Sequence, residues 1–271
     1  MRIAVVAPST PILLATAERV QALARSEWPG VELAFHPQCF LRHNHFAGSD
    51  RIRADVLVEA ANDPAVDSIW FARGGYGSCR IAEEVLARLG PAARDKAWLG
   101  YSDAGFLLAG LYRAGFARVA HGPMPNDLLR AGGEAAVRRG LSWLVDGDEA
   151  ALEGGLGATP AAAFNITVFS NLIGTPLEPD LAGHELLFED VSEHMYRTDR
   201  TMFHITNHQA VREAAGIRLG RCTEIPPNDP DFGESEEEVF RHWCERGGIP
   251  YLGRADIGHD ADNKVVPFGS L

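Results

Sequence analysis

The 271-residue chain has no apolar run of membrane-spanning length, and the stretch Ile3-Ala-Val-Val6 behind Arg2 is too short for the core of a secretory signal. A cytoplasmic location is therefore expected. Cysteine is sparse as well. The four thiols, Cys39, Cys79, Cys222 and Cys244, include no C-x-x-C pair, which argues against a zinc ribbon or a thioredoxin-like site and favours free thiols in a reducing compartment. Positive charge is scarce: 25 Lys and Arg stand against 37 Asp and Glu, for a formal net charge of -12. With no compact basic cluster to offset it, that charge repels nucleic acid and anionic membranes, so the expected partner is a small molecule or a peptide. Internal repeats and long low-complexity tracts are absent too. What the chain does have is 46% hydrophobic residues, ample for the cores of one large or two ordinary domains.

In the first half, short apolar runs alternate with helical patterns. Strands are predicted at residues 3–6, 31–35, 68–71, 97–99 and 119–121. This alternation predicts an α/β fold with a doubly wound, mostly parallel sheet, whose functional groups gather beyond the carboxyl ends of the strands. Four motifs stand at such ends and can converge on one cleft: Pro8-Ser-Thr-Pro11, Arg73-Gly-Gly-Tyr-Gly77, Gly100-Tyr-Ser-Asp103 and His121-Gly-Pro123. From Asp146 to Ala163 the chain turns Gly- and Ala-rich, the composition of an interdomain connection, so domains 1–150 and 151–271 are predicted. In the second, smaller α+β domain, residues 185–188 and 249–252 read as strands. Residues 234–245 read as a helix with an acidic first turn, closed by Gly247-Gly248.

The run Trp98-Leu-Gly-Tyr-Ser102-Asp-Ala104 is the most informative. A buried strand at 96–99 breaks into a helix at 103–112, with Phe106, Leu107, Leu108 and Leu111 inward and Ser102 at the junction. A hydroxyl on such an elbow projects above the sheet, where the following amide and the helix N-terminus can stabilise negative charge. The usual G-x-S-x-G pattern here ends in Ala104, and a serine followed by an acid also suits a plain helix N-cap. The glycine-rich run from Ala72 to Arg80 fails as a phosphate cradle, because Arg80 replaces the third glycine and no Lys-Ser/Thr follows. Its glycines suit either the close approach of a bare amide to a reacting centre or an ordinary tight turn.

A serine nucleophile requires a base and a group that orients it. Among ten histidines, His36, His43 and His45 read as loop or surface residues, and His184 and His194 lie among polar neighbours. His204 and His208 have i, i+4 spacing without the glutamate of a zinc-protease motif. His259 stands out, in the polar loop Gly258-His-Asp-Ala-Asp-Asn263. Asp260 and Asp262 there resemble a calcium loop lacking its glycine and terminal glutamate, so no metal is expected. The pair Glu189-Asp190 ends an apolar strand, and alternation lets only one of the two enter a given cleft. A solvent-facing carboxylate is the plainer reading of either.

In order, Arg73-Gly-Gly-Tyr-Gly77, Gly100-Tyr-Ser-Asp103, His121-Gly-Pro123, Leu187-Phe-Glu-Asp-Val191, Tyr196-x-x-Asp-Arg200 and Gly258-His259 resemble the LD-carboxypeptidase family of serine peptidases. That family also contains the microcin C immunity peptidases. The resemblance runs from Val6-Ala-Pro-Ser9 to Pro267-x-Gly269. It implies a flavodoxin-like amino-terminal domain supplying Ser102 as nucleophile. A smaller, swivelling β/β/α domain would supply His259 as general base and Glu189 as the orienting carboxylate. It further implies an oxyanion hole from the amides of Asp103 and of Gly75 (chosen over Gly74), no metal or cofactor, and a homodimer. The implied reaction releases terminal D-alanine from a murein tetrapeptide in peptidoglycan recycling. The free terminal carboxylate requires a cation or an amide nest, for which Arg73 is the candidate, with a loop brace as its alternative role. Two other functions stay open. One is a related hydrolase cleaving the amide of a peptidyl-nucleotide antibiotic, which predicts an aromatic residue stacking on a nucleobase, and the sequence places neither Trp143 nor Trp243 in the cleft; the other is a non-enzymatic ligand-binding module. Ala163-Phe-Asn-Ile166 stands where relatives commonly have Gly-Gly-Asn-Leu, a departure expected to reshape the cleft wall.

Overall fold

The computed structural model describes residues 1–270. Five strands of the first sheet come early in the chain: β1 (Arg2–Val6), β2 (Glu32–Phe35), β3 (Ser68–Phe71), β4 (Ala97–Gly100) and β5 (Val119–His121). The second sheet contains β6 (Ala161–Asn165), β7 (Glu185–Val191), β8 (Gly216–Thr223) and β9 (Tyr251–Arg254), all parallel in that order. The last strand, β10 (Val266–Pro267), lies far beyond residue 150 yet pairs antiparallel with β5 at the edge of the first sheet. The first sheet runs β10-β5-β4-β3-β1-β2, which is the flavodoxin-like order with one strand added. In that order the switch point lies between β1 and β3, so the loops after these strands flank a crevice.

Among the described residues nine helices cover the sheets: α1 (Leu14–Glu27), α2 (Asp50–Asn62), α3 (Ala82–Arg88), α4 (Gly105–Arg113), α5 (Gly133–Asp146), α6 (Ile166–Leu172), α7 (Met195–Thr206), α8 (Gln209–Arg212) and α9 (Glu236–Gly247). The first sheet is apolar on both faces, as a parallel sheet covered on both sides must be. Ile3, Val5, Trp70 and Leu99 pack towards Val20 of α1 and Leu141 of α5. The alternate residues Val6, Ile69, Phe71 and Trp98 pack towards Leu57 of α2, Val85 of α3 and Leu108 of α4. This second cluster continues through Phe164 and Phe169 to Phe188 of β7 and Phe240 of α9. A shared apolar core therefore joins the two sheets and fixes the loops that meet between them.

Three strands escaped the sequence reading: β6, β8 and the two-residue β10. The alanine run of β6 has low strand propensity and reads as part of the linker, but all five residues are buried. In β8, Gly216, Arg218, Gly220 and Arg221 interrupt the apolar pattern. Arg218 is tolerated there because it makes a two-pronged pair with Glu153, at 2.6 and 2.9 Å. β9 starts two residues later than predicted, because Ile249 is instead drawn into the helix end by its amide bond to Cys244. α9 also starts later, where Ser235 and Glu238 form a capping box.

Candidate active site

β4 ends at Gly100 and the chain turns through Ser102–Ala104, a single 3₁₀ turn, before α4 begins at Gly105. Ser102 has φ of 58°, a left-handed conformation that an L-residue holds only when its surroundings enforce it. Its side chain caps no helix; the Oγ faces His259 instead. The Asp103 carboxylate holds the elbow, accepting bonds from the Ser9 hydroxyl after β1 and from the Ser78 amide at 2.8 Å. Ser78 Oγ in turn donates to the Asp103 carbonyl. These bonds tie the β1 loop, the glycine-rich loop and the elbow into one unit.

The glycine-rich loop passes very close to the hydroxyl. A Cβ on Gly74 would lie 2.8 Å from both Cβ and Oγ of Ser102, and one on Gly75, whose φ is 103°, would lie 2.6 Å from Thr10. Gly74→Ala is therefore expected to displace Ser102 and lower kcat by about a hundredfold or more while the thermal midpoint falls only modestly. Steady-state rates read beside a melting curve check this. The Gly74 carbonyl accepts from Thr10 Oγ1 at 2.7 Å and Thr10 N at 3.4 Å. Because the peptide unit is planar and trans, the Gly75 N–H points the opposite way. Among the described residues neither that N–H nor the Asp103 N–H meets an acceptor.

His259 bridges the two halves of the site. Its Nε2 stands 3.0 Å from Ser102 Oγ, and its Nδ1 stands 2.5 Å from Glu189 Oε2. A carboxylate only accepts, so Nδ1 carries the proton and Nε2 is left to accept from the hydroxyl. Glu189 is 0% and His259 7% exposed. Burial opposes charge on the imidazole, but the adjacent Glu189 outweighs it and holds the His259 pKa above its ordinary value. The Tyr101 ring packs 4.8 Å from the His259 ring. The loop is tied down by Asn263, whose Oδ1 accepts from Gly258 N at 3.1 Å and lies 3.3 Å from His121 Nε2. Burial pushes the His121 pKa down to about 4, leaving that ring neutral.

Asp190 points elsewhere. It accepts from Asn165 Nδ2 at 2.7 Å, Thr167 Oγ1 at 3.1 Å and its neighbour's amide at 2.9 Å. Burial and the Glu189 charge push its pKa up to about 6. A cleft of about 490 Å³ opens over Ser102, lined among others by Gly75, Tyr76, Asn165, Thr167 and Asp190.

Three groups singled out in the sequence lie away from the cleft lining. Arg73 is exposed, donates to the Pro11 carbonyl at 3.1 Å and does not line the cleft, so it braces the loop. Trp143 packs against the core beneath α5, and Trp243 donates to Asp199 at 2.8 Å; neither faces the cleft. Ala163 and Phe164 are buried, Phe164 between Phe169 and Phe268, so only Asn165 of the departing motif reaches the cleft wall. The roles of Ser9, Thr10, Ser78 and Asn263 went unseen. Ser9 and Thr10 had a signal in their place after β1, Ser78 in the glycine-rich run and Asn263 in the His259 loop, but the bonds of Ser78 to Asp103 and of Asn263 to His121 join segments remote in sequence.

Fold and site together define an α/β protein with a hydroxyl–imidazole–carboxylate line where a mostly parallel sheet meets a smaller parallel one. The chain belongs to the LD-carboxypeptidase family: residues 3–122 match its N-terminal domain and residues 161–271 its C-terminal domain. It is 27% identical to the murein tetrapeptide carboxypeptidase of Pseudomonas aeruginosa over 99% of this chain and 91% of that protein. Among solved structures it is similar to a muramoyltetrapeptide carboxypeptidase from Oxalobacter formigenes (TM-score 0.81, 23% identity, covering 99% of this chain and 93% of that one). It is also similar to the microcin C7 self immunity protein MccF in complex with aspartyl sulfamoyl adenosine (TM-score 0.80, 17% identity, 99% and 91%). These two structures are likenesses of fold.

Proposed function

We propose that the protein is a serine peptidase that hydrolyses the L,D amide bond of murein peptides and releases terminal D-alanine. The observation that carries this reading is the Ser102–His259–Glu189 line, at 3.0 and 2.5 Å, beneath an open cleft in a member of a carboxypeptidase family. Ser102 Oγ attacks the scissile carbonyl as His259 Nε2 takes its proton, and Glu189 stabilises the resulting imidazolium. The oxyanion receives the amides of Asp103 and Gly75, which are free to donate. His259 then passes the proton to the leaving amine, and water resolves the acyl-enzyme. Ser102 precedes residue 150 and the other two residues follow it, so catalysis joins the two domains.

The test is mass spectrometry of the protein incubated with a murein tetrapeptide ending in D-alanine and, separately, with its all-L counterpart. D-alanine released from the first alone supports the reading; release from neither removes the assigned reaction. Cleavage of a peptidyl-nucleotide is less favoured, because no tryptophan reaches the cleft and Glu83, Asp190 and Glu193 line it, repelling a phosphate.

A pH prediction follows from the His259 environment. The base acts when unprotonated, and Glu189 raises its pKa, so kcat/KM should fall as pH drops through a value above 6.5. A flat profile between about pH 5 and 8, measured where chemistry limits turnover, removes His259 from the role.

A further inference from the structure

We propose that Arg130 binds the terminal carboxylate of the substrate. The inference rests on the carboxypeptidase reading above and names the group that makes the enzyme select a chain end. The location follows from the chemistry. His259 protonates the leaving nitrogen, so that nitrogen must come within about 3 Å of Nε2. In a terminal amino acid the carboxylate carbon is two bonds from the same nitrogen. The cation that receives it must therefore stand beside His259.

The cleft over Ser102 offers no such cation among the described residues. No lysine or arginine lines it, and Glu83, Asp190 and Glu193 do. Arg130 lies outside that lining and reaches the neighbourhood of His259 through Asp127 and Tyr101. It follows the 3₁₀ turn Pro125–Leu129 behind β5, and its Nε donates to Asp127 Oδ1 at 3.1 Å. The same oxygen accepts from the Tyr101 hydroxyl at 2.7 Å, and Asp127 Oδ2 accepts from the Met124 amide at 2.8 Å. Tyr101 carries the chain of contacts to the base, with its ring 4.8 Å from that of His259. After burial and Glu189, the next influence on His259 is the positive charge of Arg130.

The anchoring is asymmetric. Asp127 is 3% exposed, while the Arg130 side chain keeps 30% of its surface open, and among the described residues no other carboxylate pairs with it. A guanidinium held from behind through Nε presents its terminal nitrogens as a fork, the geometry that receives a carboxylate by two parallel hydrogen bonds. α5 braces the same region, since Arg139 donates to the Ala261 and Asn263 carbonyls of the His259 loop at 2.9 and 2.8 Å. The Arg130 turn and the base are thereby held on one frame.

The test uses full-length Ser102→Ala protein, which retains the substrate intact, titrated with L-Ala-γ-D-Glu-L-Lys-D-Ala and with its C-terminal amide. The acid is expected to bind at least about tenfold more tightly than the amide, and Arg130→Gln is expected to erase that difference while Arg130→Lys restores part of it. Discrimination that survives in Arg130→Gln overturns the proposal. So does a uniform weakening of acid and amide, the signature of a role confined to bracing Asp127 and Tyr101, and so does failure of the parent protein to bind the acid or to distinguish the two. Loss of D-alanine release by the wild type, with acid-over-amide binding intact and dependent on Arg130, overturns the reaction reading and leaves the carboxylate site standing.

Discussion

Ser102→Ala is expected to reduce D-alanine release by on the order of 10⁴–10⁶-fold while peptide affinity changes only severalfold. One oxygen is lost, and in the proposed reaction it is the atom that bonds to carbon. The left-handed backbone at φ 58° is imposed by the Asp103 anchors and the close passage of Gly74, and alanine inherits it, so the elbow should keep its shape. The His259 Nε2 left without its partner faces the cleft side of the site, where water can replace the hydroxyl. Residual catalysis on the order of 10³-fold over water should persist, because the two free amides still polarise the carbonyl. Single-turnover kinetics with a melting curve on the same sample make the comparison. A variant that retains the wild-type rate moves the nucleophile elsewhere. The neighbouring hydroxyls of Ser9 and Ser78 are poor substitutes, since both donate to Asp103 and neither meets a histidine.

Much of this architecture was legible in the order of residues. Short apolar runs ending in Pro8-Ser-Thr, Arg73-Gly-Gly and Gly100-Tyr-Ser exposed the parallel sheet, because parallel strands buried on both faces need near-continuous apolar sequence. The elbow was legible for the same reason: a strand that stops at a glycine and a serine leaves few conformations for the serine. The second sheet was harder to see. Its β6 is built of alanines and its β8 carries arginines, and their burial is made possible by partners such as Glu153 that lie dozens of residues away. The same limit applied to the site. Ser102 and His259 stood out by their own surroundings, whereas Arg130, the proposed carboxylate-binding residue, is distinguished only by Asp127 and Tyr101, which the fold brings beside the imidazole. Arg73 illustrates the converse, since its motif position suggested ligand binding and its geometry commits it to Pro11.

The choice between Glu189 and Asp190 was open in the sequence, and a paired substitution now separates them. Glu189→Gln is expected to lower kcat by about 10³–10⁴-fold, because the buried amide has no harmless orientation. If its oxygen faces His259 Nδ1, its NH₂ occupies the place of Oε1, which has no hydrogen-bond partner among the described residues, and a buried donor goes unsatisfied at about 1–3 kcal/mol. If its NH₂ faces Nδ1, the imidazole must carry its proton on Nε2 and can no longer accept from Ser102. Either way the carboxylate charge that raises the His259 pKa is gone, so whatever activity remains should have its acid limb at lower pH than the wild type. Asp190→Asn leaves the His259 bond untouched, and its losses fall on the bonds to Asn165 and Thr167 in the cleft wall. Its effect should appear mainly in KM, with kcat within about tenfold of wild type and the acid limb unmoved. Measured pH profiles of kcat/KM for both variants decide the matter. A crippled Asp190→Asn beside a nearly active Glu189→Gln would transfer the orienting role to Asp190 and mean that β7 presents its other face to the base.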